Sequence, residues 1–136
     1  MDIFRATSRP TRRAPADYFT GTVWQDPIIE APDPARIRGL RVAFDPGART
    51  AWHTHPLGQT LYVVSGVGRV QCMGEPVREI RPGDTIWIPP QIRHWHGAAP
   101  DHSMVHLAFQ ESLDGVSAEW QEHVADADYG VGPTDI

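Results

Sequence analysis

A single cysteine, Cys72, stands in 136 residues, so no intrachain disulfide staples the fold and no paired-cysteine metal or redox motif exists. A lone thiol of this kind is expected to be buried and inert. Long apolar runs are missing too. No stretch approaches the ~20 residues that a membrane span needs. The opening Met1-Asp2-Ile3-Phe4-Arg5 lacks the apolar core of a secretory leader, so the expected location is cytoplasmic. Excess positive charge is also missing. The formal net charge of −5 argues against a nucleic-acid partner, and Arg5, Arg9, Arg12 and Arg13 read as part of a solvated arm.

What the chain has in quantity is proline (13) and glycine (12), spread along its length, which suits short strands joined by tight turns. The length fits one domain. We expect a flexible arm over 1–14, one barrel domain over 15–125 and a flexible polar tail over 126–136. Tyr18 to Val23 reads as a strand, and Pro27, Pro32 and Pro34 exclude a helix before Ile37. From Arg38 to Phe44 the pattern alternates, with Leu40, Val42 and Phe44 on one face. Further strands are expected over 50–55, 61–65, 67–72, 77–80, 85–88, 94–98 and 103–110. Asp45-Pro46-Gly47 and Arg81-Pro82-Gly83-Asp84 are turn signals. The segment 118–124 fits either a last strand or a helical turn. The class expected is all-β, a sandwich or barrel.

Five of the seven histidines fall inside these strands. Alternate residues of a strand share a face, so His53 points with His55, His94 with His96, and His106 with Gln110. Around the pairs lies a frame of fixed spacings. Gly47 precedes His53 by six residues, Gln59 follows His55 by four, and Gly66 closes the segment. Gly83 precedes Pro89 by six, and His94 comes five later.

These two segments resemble the two motifs of the cupin superfamily. Gln59 stands where the first motif has an acidic ligand, and Gln91 and Ala98 replace a turn glycine and a final asparagine of the second. The resemblance implies a double-stranded β-helix, or jelly-roll, barrel that holds one divalent metal ion on His53, His55, Gln59 and His94. Ligand type alone allows several ions, iron, zinc, nickel, cobalt or manganese among them. A neutral amide in place of a carboxylate leaves the metal charge uncancelled, which favours Lewis-acid chemistry. His96 and His106 sit off the ligand positions. Each is either a general acid–base or a residue that orients a ligand imidazole. Gln110 is either a substrate contact or a satisfied core amide. Trp52, Trp87 and Trp95 alternate with the histidines and read as structural; His102 and His123 read as surface residues. Leu40, Val42, Phe44 and Leu61 are expected to line an apolar cavity for a small, partly aromatic substrate.

The stretch GARTAWHTHPLGQTL, the phrase HWHGAAP and the later HLAFQE look like the small bacterial manganese-dependent cupin hydroxynitrile lyases. PADYFTGTV and APDPA extend the likeness. It implies a carbon–carbon lyase that splits an aromatic cyanohydrin into aldehyde and hydrogen cyanide, with His96, His106 and Gln110 as the catalytic group. Leu40 beside Val42 would narrow the aldehyde pocket. An oxygen-dependent cupin dioxygenase on a small aromatic or diketone substrate is the alternative reading, and a non-catalytic small-molecule-binding cupin a third. Members of the superfamily associate through edge strands, so a homodimer or homotetramer is expected, with Tyr18 to Val23 as one such edge.

Overall fold

The computed structural model describes residues 1–133. Its strands run β1 (Arg12–Arg13), β2 (Phe19–Thr20), β3 (Val23–Glu30), β4 (Ile37–Phe44), β5 (Arg49–Thr50), β6 (His53–Thr54) and β7 (Gln59–Gly66). They continue as β8 (Gly68–Cys72), β9 (Arg78–Ile80), β10 (Thr85–Ile88), β11 (His94–Ala98), β12 (Met104–Glu111) and β13 (Glu119–Trp120), before a short helix α1 (Asp126–Tyr129). Among the described residues these form two antiparallel sheets. One has the order β1-β3-β4-β12-β7-β10; the other has the order β13-β6-β11-β5-β2, with β8 and β9 attached through β11. The inward face of the first sheet supplies Val42, Phe44, Leu61, Val63, Met104 and Ala108 to a core that Phe19, Val23 and Ile88 complete. This is the all-β class expected of the alternating pattern, arranged as the jelly-roll that the resemblance implies. No helix among the described residues is long and apolar enough to cross a membrane.

Four departures from the sequence reading have local physical causes. The strand expected over 18–23 is two strands, broken at Gly21, where the backbone turns through a positive φ of 80°. Only β2 is an edge; β3 has β1 on one side and β4 on the other. β3 also runs through Pro27. The missing N–H is absorbed by a register shift between Pro27 and Ile29, the kind of bulge at which a sheet tolerates proline. The strand expected over 50–55 is interrupted at Ala51 and Trp52. The Ala51 carbonyl accepts a bond from the His53 ring, and Trp52 pairs instead with Gln121 and Glu122.

The ends differ as well. Arg12 and Arg13 pair with Gln25 and Trp24, so the barrel sheet reaches back into the segment expected to be an arm. At the other end Tyr129 is buried against Trp52, Val77, Trp95 and Val124, a second core outside the histidine strands. Its hydroxyl donates to the Ala98 carbonyl at 2.5 Å, and the Arg49 guanidinium lies 4.3 Å from its ring centre. The helix thus takes up the apolar outward residues of β11, whose inward residues are His94 and His96. A polar tail composition conceals this, because one tyrosine carries the docking. Thr134 to Ile136 lie outside the described residues. Trp52 and Trp95 are buried as expected, whereas Trp87 is exposed on the outer face of the first sheet. Cys72 is half-buried rather than buried, and burial, then Glu75, push its thiol pKa upward, which disfavours the reactive thiolate.

The turn between β10 and β11 shows what the lost motif glycine costs. Gln91 adopts a φ of 62° there, and its N–H donates to the His55 carbonyl at 3.0 Å. A side chain in this left-handed region costs about 1 kcal/mol or more relative to glycine. Gln91→Gly is therefore expected to raise the thermal midpoint by ~2 to 4 °C, read by calorimetry. A lowered midpoint would refute the strain argument.

Candidate functional site

Three imidazoles are held the same way. His53 Nδ1 donates to the Ala51 carbonyl at 2.9 Å, His55 Nδ1 to the Ser117 carbonyl at 2.6 Å and His94 Nδ1 to the Ile92 carbonyl at 2.8 Å. A carbonyl only accepts, so each Nδ1 carries the proton and each Nε2 keeps a free lone pair. This is how proteins set the tautomer of metal-binding histidines. The rings gather closely: His53 lies 4.2 Å from His94 and 5.0 Å from His55, centre to centre. His55 Nε2 is buried with no hydrogen-bond partner.

Gln59 joins them. Its Nε2 donates to Gln110 Oε1 at 3.1 Å, which fixes the amide so that Oε1 stands 3.2 Å from His94 Nε2. Both of those atoms are acceptors. Two acceptors facing each other in a buried site repel, and a cation that both can bind removes the repulsion. The residues therefore fit a divalent metal. Ring nitrogens of His53, His94 and His96 all lie within 4.8 Å of one another, so a three-histidine cluster that can hold a metal ion is present among the described residues.

His96 and His106 form a separate contact. His106 Nε2 and His96 Nδ1 are 2.9 Å apart, sharing one proton. The outer nitrogens of the pair, His96 Nε2 and His106 Nδ1, are buried without partners. Desolvation lowers the pKa of every histidine in the cluster. His94 and His106 each fall to about 4, and His53 and His96 lie well below the usual value, with neighbouring imidazoles adding to the effect of burial. Burial thus favours the neutral form in each, the form that binds metal or accepts a proton.

All of these side chains except His94 line one cavity of about 150 Å³; His94 lies behind it, against His53 and Gln59. A dry cavity of that size is on the order of what a benzene ring needs. Leu40, Val42, Phe44 and Ala108 make its apolar wall, and His53, His55, Gln59, His96, His106 and Gln110 its polar one. Leu61 packs in the core behind the wall instead of lining the cavity. His102 and His123 are exposed, as expected. Sequence reasoning missed Trp120, Phe19, Thr50 and Ser117. Trp120 lines the cavity from β13 and stacks on His53 at 4.5 Å, and Ser117 acts through its main-chain carbonyl. A carbonyl acceptor leaves no residue-type signal. Trp120 lay in the one segment whose periodicity was ambiguous.

The cupin-domain family model matches residues 40–109, just over half of the chain. The chain is a cupin. It is 57% identical over 129 residues to an (R)-mandelonitrile lyase of Granulicella tundricola, covering 95% of this chain and 98% of that protein. Among solved structures, a cupin-like protein of Thermotoga maritima superposes with a TM-score of 0.84 at 39% identity, covering 95% of each chain. A polyketide cyclase of Streptomyces resistomycificus shares the cupin fold alone, with a TM-score of 0.73 at 18% identity over 95% of this chain and 90% of that one. In this cupin, β13 and the helix that follows lie beyond the matched segment, yet β13 borders the cavity.

Proposed function

We propose that this cupin is a metal-dependent hydroxynitrile lyase that interconverts an aromatic cyanohydrin with its aldehyde and hydrogen cyanide. The observation that carries the reading is the 2.9 Å His106–His96 contact beside a neutral donor set in one apolar cavity. The high identity to a mandelonitrile lyase supports the same reaction class.

We assign the metal to His53, His55, Gln59 and His94. The three main-chain-anchored Nδ1 atoms and the anchored amide support this set. His96 stands off the ligand positions of the two motifs, and its contact with His106 gives it to the proton-transfer pair instead. A divalent ion held there, manganese before iron, zinc, nickel or cobalt, is a Lewis acid that lowers the pKa of a substrate hydroxyl. The apolar wall of Leu40, Val42, Phe44 and Ala108 takes the aromatic ring and excludes water. Leu40 sets how bulky that ring can be. The neutral His96–His106 pair accepts the hydroxyl proton at its free nitrogen. As the carbon–cyanide bond breaks, its electron pair leaves with cyanide and the carbonyl forms. The pair then returns the proton to cyanide, so hydrogen cyanide and aldehyde leave and the histidines are restored. No oxidant is consumed. Gln110 keeps the Gln59 amide aimed and offers its own N–H to the substrate.

Release of benzaldehyde from racemic mandelonitrile by the manganese-loaded protein tests the reading. Mildly acidic buffer, pH ~5 to 6, suppresses the uncatalysed reaction without stripping the metal. Fast, enantioselective release that chelator abolishes is expected. Release no faster than in the chelated control, with manganese shown to be bound, refutes the lyase. We also propose that copies of the chain associate through the outer face of the six-stranded sheet, where Trp24, Tyr62, Val64 and Trp87 are exposed. A single-chain mass by light scattering would count against it.

A further inference from the structure

The segment after the last barrel strand crosses directly over the histidines. It leaves a tight turn at Asp114-Gly115, where both residues have positive φ, and is tied by the Leu113–Val116 bridge. Ser117 then offers its carbonyl to His55. Glu119 and Trp120 pair with Thr54 and His53 in β13. Gln121 donates to the Trp52 carbonyl, the Glu122 carbonyl accepts from Trp52, and the Glu122 side chain pairs with Arg93, the neighbour of His94. The strap therefore holds the segment that carries His53 and His55 and reaches the residue before His94.

Trp120 makes the most specific of these contacts. Its ring stacks on His53 at 4.5 Å and 27° on one side, and on Tyr18 at 4.7 Å and 16° on the other. Phe19 closes the edge at 5.7 Å. The imidazole is thus clamped by its face, while coordination uses the lone pair in the ring plane. The two do not compete. They reinforce one another, because an imidazole bound to a dication is electron-poor and attracts the electron-rich face of an indole more strongly than a free imidazole does. Stacking should then be tighter in the loaded site than in the empty one, which makes it a source of metal affinity as well as of order.

We propose that Trp120 is a positioning residue for the metal centre: stacked between Tyr18 and His53, it fixes the His53 imidazole for coordination, and the strap over 117–122 is a working part of the site. This rests on the metal assignment made above but not on the identity of the substrate. Partners that orient a ligand typically contribute tenfold to a hundredfold in metal affinity.

The test is manganese affinity by titration calorimetry on the full chain stripped with chelator, alongside the thermal midpoint of the metal-free protein. Trp120→Phe keeps a stacking ring and is expected to bind within about threefold of the parent. Trp120→Leu fills much of the volume without a π face and is expected to bind at least ~10-fold more weakly, with a metal-free midpoint equal to that of Trp120→Phe. Trp120→Ala should match or exceed the loss in Trp120→Leu. A leucine variant that binds manganese as the parent does overturns the proposal, and so does one whose affinity loss accompanies unfolding of the metal-free chain. The proposed ranking in a protein that splits no cyanohydrin leaves this inference standing and removes the lyase. A parent protein that takes up no divalent ion removes the metal assignment and this inference with it.

Discussion

His53→Ala is expected to empty the metal site and reduce cyanohydrin cleavage by at least ~10³-fold, close to the loss of about 4 kcal/mol of transition-state stabilisation. His53 packs against three other imidazoles of the cluster and against Trp120. It lies 4.2 Å from His94, 5.0 Å from His55 and 5.3 Å from His96, and its own Nδ1 is tied to Ala51. Alanine removes one ligand and leaves a hole beneath Trp120. Of the assigned ligands His55, Gln59 and His94 then remain, an incomplete donor set with no negative charge to hold a dication. Metal content and benzaldehyde release should fall together. A His53→Ala protein without bound metal that keeps more than about a tenth of the parent rate would show that the metal does not take part.

The second large effect falls on the histidine pair. His106→Gln keeps the hydrogen-bonding size of the residue but cannot take up a proton. We expect a drop in turnover of ~10²- to 10⁴-fold with the metal content unchanged. His96→Gln should behave alike, and the double variant should be little worse than either single one, because residues that act as a unit are not additive. The sign of the pH dependence follows from burial. Desolvation lowers the His106 pKa to about 4, so the ring is neutral above that value and ready to accept a proton. The rate is expected to fall as the pH drops through about 4, where the ring is protonated before substrate arrives. His106→Gln with parental turnover would remove the pair from the mechanism and return it to the role of orienting its neighbours.

Much of this site could be read from residue spacing. Period two aims His53 and His55 at one side, while Gln59 and the more distant His94 are related to them only through the spacings of the two motifs. Their burial and convergence follow from the same frame of turns that marks the family. His96 and His106 were also legible as inward-facing, since each shares a face with a recognised position. What the pattern could not give was the hydrogen bond between them, which depends on two strands, β11 and β12, from opposite sheets. The interruption at Ala51 and Trp52 was hidden for a related reason. It is caused by residues some seventy positions later, Gln121 and Glu122, taking over the pairing of Trp52. Gln91 carried a legible hint, as a non-glycine at a glycine position of the motif, and the structure confirms that its backbone still takes the glycine conformation.

The bond from Gln59 to Gln110 has a further implication for how this barrel can change. A glutamate at position 59 would present an oxygen where Gln59 now presents its N–H₂. Gln110 could meet it by turning its own amide over, with no movement of the backbone or of any other ligand. One codon step and one side-chain rotation thus separate a charge-neutral donor set from an anionic one. The charge of the donor set can therefore change at position 59 alone, with Gln110 the partner in either state.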